Sequence, residues 1–227
     1  MSKTFSKNRL RLRALHRITA YFVLTFVVFH MGNHLAGLFG FDTYNNVQDT
    51  LRKFYRHPLV EPVLIAAVVA QLILGLVLLV KSLKLEKPKT FWSWLQVVSG
   101  ILIILTIGEH LIALFLARIV SELDTNFYWP LSVMDGPPFT YYFIPYYFLM
   151  VSSVFAHAAA GLHFIGKDRG YSKKIDVFAI GLIVIGLIIA TVIVLILNQT
   201  FYEVLLPGEW LDYLRQFSPE YKSPVKP

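Results

Sequence analysis

The sequence predicts an all-α fold: a polytopic membrane bundle of five transmembrane helices, with a cytoplasmic N-terminus and the C-terminus outside. Three observations predict it. The 227 residues are 56% hydrophobic and only 15% charged, and a mean hydropathy of +0.59 exceeds that of a soluble domain of this size. Five apolar runs each reach the ~20 residues that cross a bilayer as a helix. The basic side chains gather at the ends of those runs, as membrane topology requires, rather than in the stripe a nucleic-acid partner would need. The net charge of +7 is therefore read as topology, and nucleic acid is excluded as a partner. The whole of 1–227 reads as one membrane domain, with a basic cytoplasmic start over 1–14 and an outer tail over 199–227.

The first run, 15–39, follows Lys3, Lys7, Arg9, Arg11 and Arg13. A basic start before an apolar run also opens a signal peptide. This run is longer and richer in histidine than such a segment, and no small-residue cleavage site follows it, so it is expected to stay as the first span. The second and third runs cover 59–80 and 95–117. The fourth covers 141–165 and the fifth 177–197. The fifth is free of ionisable and amide side chains until Asn198 and reads as a packing or lipid-facing helix.

Orientation follows from the links. Link 81–89 carries four lysines, and link 167–174 carries Lys167, Arg169, Lys173 and Lys174; link 121–140 has three acids and no lysine or arginine. The first two belong in the cytoplasm with the N-terminus, and the third belongs outside. Link 40–58 falls outside by parity, against the signal of Arg52, Lys53 and Arg56. Trp92, Trp94, Tyr141, Tyr142, Tyr146 and Tyr147 fall where interfacial aromatic belts are expected. The tail mixes Trp210, Leu211, Tyr213 and Leu214 with charges, as a segment lying along the outer surface would.

The chemistry lies in the histidines. Of seven, His30, His34, His110, His157 and His163 fall inside spans. A lone intramembrane histidine is usually a packing residue. Three spans carrying one each near mid-depth point instead to a cofactor, and imidazole suits haem iron. His30 and His110, on the two outward-running spans, lie at similar depth and could clamp one iron. Gln71 and His157, on inward-running spans, each lie ten residues before a lysine, Lys81 and Lys167, and share a spacing to Gly75 and Gly161. A glycine one turn from a ligand leaves room for a flat macrocycle; close helix packing would also select it. Glu109 is the only acid inside an apolar run away from its ends. A charged acid there costs at least about 2.5 kcal/mol, so a metal, a proton path or a buried partner is expected beside it. The absence of cysteine excludes an iron–sulfur cluster or a thioether-linked haem on this chain.

Leu15-His16-Arg17-Ile18-Thr19 resembles the His-Arg-x-Ser/Thr-Gly start of the membrane cytochrome b subunits of succinate dehydrogenase and fumarate reductase. Asn33-His34, Val98-Ser99-Gly100 through His110, and His157-x-x-x-Gly161-Leu162 continue the resemblance over the first four spans. The class it is most similar to has a single five-span anchor and two b haems, as in menaquinone-linked enzymes. That resemblance implies an outer haem held by His30 and His110, with His34 as the alternative on the first span. It implies an inner haem between spans two and four, at His157 and the position of Gln71. Glutamine stands there in place of histidine, and a neutral amide is a poor iron ligand, so one haem b or two are implied. Gly75 and Gly161 would pack against haem. Arg13, His16 and Arg17 would face propionates, quinone oxygens or a docked subunit, and Glu109 would transfer protons to or from quinone, menaquinone by class. A flavoprotein subunit and an iron–sulfur subunit would dock on the cytoplasmic face of an anchor sitting multi-pass in the cell membrane among lipid. Electrons would then pass between the clusters and quinone, with the dicarboxylate chemistry on the partner chains. The alternatives are a haem-poor structural or assembly subunit, or the anchor cytochrome of another respiratory oxidoreductase.

Overall fold

The computed structural model describes residues 2–84 and 90–224. Lys87 and Lys89 of the basic link, and the side chains of Lys3, Lys7, Arg9 and Lys173, lie outside the described residues. The chain is all-helical among the described residues. Five helices are long and apolar enough to cross a membrane: α1 (Ser2–Ala36), α3 (Val60–Leu83), α4 (Phe91–Phe115), α6 (Phe139–Asp168) and α7 (Ser172–Leu197). Three short helices, α2 (Phe41–Tyr55), α5 (Tyr128–Ser132) and α8 (Gly208–Arg215), lie between or after them.

Helix α1 runs unbroken from Ser2 to Ala36, through the basic start and into the first apolar run. At its far end α4 loosens into a wider turn over Leu116–Val120, where Arg118 donates to Glu61 in the first turn of α3.

The spans form two groups. α6 packs along α7 more extensively than any other pair, and α4 packs against α6; α1 packs against α3. Contact between the groups, α3 with α4 and α1 with α7, is sparser. The α6–α7 contact is close because glycines and alanines line it. A Cβ on Gly186 would lie 2.3 Å from the Cβ of Phe155, and one on Gly166 would lie 2.6 Å from Ile175. Ala159, Ala160, Ala179 and Ala190 are fully buried. His163, on the same helix, is tied down as a packing residue: its Nδ1 pairs with Asp176 of α7, and its ring stacks on Trp92 at 4.6 Å.

At the His110 end, α2, the 121–138 link with α5, and the tail with α8 fold together into a cap. Phe127, Leu131, Trp210 and Leu214 are fully buried. The tail is thus part of a core and does not simply lie along a surface. Arg52 and Arg56 of α2 pair with Asp124, and Arg56 also donates to Thr125 at 2.7 Å. These contacts account for two of the three basic residues that ran against the charge pattern of link 40–58, Arg52 and Arg56. Tyr146 and Tyr147 are buried, and the Tyr146 hydroxyl donates to the Thr106 carbonyl at 2.8 Å; they belong to the core. Trp94, Tyr141 and Tyr142 stay exposed, as a belt requires.

Candidate functional site

The sparse seam between α1/α3 and α4/α6 is where the intramembrane imidazoles meet. Toward the cap, His30 of α1 faces His110 of α4 with ring centroids 6.3 Å apart and planes at 71°. Away from the cap, His16 of α1 faces His157 of α6 at 6.4 Å and 68°. A metal–imidazole bond of about 2 Å and a ring radius of about 1 Å put two trans axial imidazoles roughly 6 Å apart, centroid to centroid. The two pairs nearly share one ring separation and one tilt.

The pair toward the cap is held by aromatic neighbours. His30 stacks on Phe26 at 5.3 Å, and His110 tilts against Trp129 of α5 at 5.1 Å. His34 is one turn along α1 from His30 and meets its ring edge-on at 4.8 Å, but its other ring neighbour is Tyr44 of the cap. Of the two candidates on the first span, His30 is the one in ring contact with His110. Asn33 Oδ1 and His34 Nδ1 are buried without a hydrogen-bond partner among the described residues, which is rare in a native interior.

Glu109 has an exposed residue as its partner, not the buried one its position led us to expect. The Tyr142 hydroxyl of α6 donates to its Oε2 at 2.6 Å. Glu109 and His110 line a cavity of about 280 Å³ with Trp129, Phe143, Tyr146 and Tyr147, and α8 covers it with Tyr213 and Leu214. An aromatic hollow with one acid and one imidazole has the character of a small-molecule site.

The pair away from the cap is set by hydrogen bonds. Ser99 of α4 commits its proton to the Leu95 carbonyl at 2.6 Å. Its oxygen therefore accepts from Nδ1 of His157, 3.2 Å away, and the free lone pair of His157 lies on Nε2. That is the tautomer a ligand needs, fixed by a neighbour. Gln71 of α3 holds its amide nitrogen 3.0 Å from His16 Nε2 and donates to it, while the Thr19 hydroxyl donates to the Gln71 oxygen. Gly75 stands against His16, where a Cβ would lie 3.6 Å from Nε2; Gly100 stands against His157, where it would lie 3.3 Å from Cε1. Gly161 has open space where a Cβ would go. Arg13 and Arg17 are exposed on α1 beside this site.

Sequence reasoning placed His30, His110 and His157 in spans but missed Ser99 beside His157, Trp129 beside His110, Thr19 beside Gln71 and Tyr142 beside Glu109. Ser99 and Thr19 were inside motifs already singled out. Their roles depend on the register between helices, which spacing along one helix does not give.

Fold and site together define a class: a five-span bundle with imidazoles paired across its interior. A family model for the succinate dehydrogenase/fumarate reductase transmembrane subunit matches residues 79–196, just over half of the chain, and the protein belongs to that family. The matched segment runs from the end of α3 through α7 and takes in Ser99, Glu109, His110, His157 and Gly161. No curated protein matches the chain.

Proposed function

We propose that this chain is the haem b-binding membrane anchor of a succinate:quinone oxidoreductase or quinol:fumarate reductase, passing electrons between iron–sulfur clusters of a docked subunit and membrane quinone. One observation carries it: His30 and His110 come from two spans to within 6.3 Å of each other, ring centroid to ring centroid, a separation at which both could hold one haem. The family membership and the unpartnered polar atoms beside them support it.

In this assignment His30 and His110 would hold the haem. Haem b held there supplies one-electron redox chemistry. Phe26 and Trp129 hold the two rings in orientation. The cavity beside His110 takes the quinone head group, of the menaquinone class, through its aromatic walls. Glu109 takes and returns the proton at its carboxylate, and Tyr142 keeps that carboxylate turned toward the hollow. The end of the bundle bearing Arg13 and Arg17 is cytoplasmic, and there the flavoprotein and iron–sulfur subunits dock on basic side chains. The C-terminal cap is outside, and the chain sits multi-pass in the cell membrane.

The test is a reduced-minus-oxidised spectrum and a haem-to-polypeptide ratio on the purified complex. A b-type α band is expected. His110→Ala should remove the cap-side haem signal while membrane insertion and co-purification with the soluble subunits persist. Unchanged haem content in that variant would overturn the ligand assignment.

A further inference from the structure

We infer that the chain holds a second bis-imidazole haem site whose ligands are His16 and His157, with Gln71 positioning His16 instead of ligating. The inference rests on the anchor function proposed above and deepens it. The second span offers glutamine at the expected ligand position, and His157 alone could supply only one axial bond. The imidazole facing His157 across the interior comes instead from α1. The ring separation, 6.4 Å, and the interplanar angle, 68°, nearly repeat those of His30 and His110, 6.3 Å and 71°. Two pairs, α1 with α4 and α1 with α6, sharing one ring separation and tilt argue for one kind of occupant.

The surroundings agree with it. Ser99 leaves His157 with its lone pair on Nε2. The Gln71 amide, itself tied to Thr19, donates to His16 Nε2 and so keeps the lone pair of that ring on Nε2 as well. Both imidazoles thus present the donor form, and an iron would displace one neutral hydrogen bond. Gly75 and Gly100 set backbone rather than a side chain against the two rings, at His16 Nε2 and His157 Cε1. His16 and His30 are fourteen residues apart on α1, about 21 Å along a helix, so the two sites would divide the bilayer between them.

The experiment uses the purified complex with its soluble subunits. It reads haem per chain, the low-spin signals in the oxidised state by electron paramagnetic resonance, and midpoint potentials. The unaltered chain should hold two haems and give two low-spin signals. His16→Ala should lose one signal and keep the one that His110→Ala removes. His16→Met, which replaces imidazole with a thioether ligand, should keep both haems and raise one midpoint potential. Gln71→Leu should keep both low-spin signals. Two low-spin signals in His16→Ala would overturn the assignment, as would His16→Met with both potentials unmoved. His16→Met decides the matter if the alanine variant does not assemble. One haem per chain, lost in His110→Ala and indifferent to His16, would overturn the second site and leave the anchor function standing; no haem at all would overturn both.

Discussion

The α6–α7 contact and the seam between α1/α3 and α4/α6 use the same small residue for opposite ends. Gly186 and Gly166 are filled from across the contact, by Phe155 and Ile175, so the two helices lie against each other without a gap. Gly161, less than two turns from Gly166 on the same helix, has nothing within 4 Å of where its Cβ would be. One contact is dry packing, which is what associates helices in lipid. The other is held apart and studded with imidazoles. The difference teaches that in a membrane bundle a glycine becomes informative only when its neighbour is known. A glycine met from across a contact marks close packing, and one with open space beside it does not.

Substitution at the two kinds of glycine should separate them most sharply. Gly186→Leu drives a side chain into Phe155 and should cost upwards of about 3 kcal/mol, seen as loss of monodisperse protein on detergent gel filtration. Gly161→Leu enters open space, so folded yield should hold while haem per chain falls by about one; an unchanged ratio would place Gly161 outside the haem slot. Next in size is the clasp across the seam. Arg118→Met strands the half-buried Glu61 carboxylate and should destabilise the α3–α4 contact by about 1–3 kcal/mol, measured as a lower melting temperature with the α6–α7 contact unaffected in protease protection.

The smallest effect concerns the cap. The Tyr221 hydroxyl donates to Asp135 at 2.7 Å, and burial, followed by that bond, pushes its phenol above the ordinary value; burial does the same to Tyr44. A raised phenol stabilises the folded state below the unfolded value of about 10 and loses that contribution as pH climbs past it. Fluorescence of the buried Trp210 should report loosening of the cap above about pH 10. Tyr221→Phe should cost about 1 kcal/mol at neutral pH and flatten the alkaline limb; an identical limb would assign the loosening elsewhere.

Much of the bundle was legible because apolar length and the charges at its ends are properties of single segments. The His30–His110 pair was legible for a similar reason: two parallel spans put equal counts of residues at equal depth. His16 was not, since its neighbours Arg13 and Arg17 read as the edge of the membrane, whereas α1 carries it into the seam. Nor was the cap. Trp210 and Leu214 are buried in the cap, where α8 packs against α5 from a distant part of the chain, and no periodicity within the tail announces that. Gln71 was legible as an anomaly, but the hydrogen bonds that explain it come from α1.

The cavity beside Glu109 has a roof and a door. Tyr213 and Leu214 close it toward the end of the bundle, and one of its walls is Ile112, whose side chain lies 63% open on the flank of α4. A water-soluble visitor would have to pry up the roof, which Trp210 and the Tyr221–Asp135 bond hold shut. A greasy molecule already dissolved among the acyl chains could slip in past Ile112 without ever meeting water.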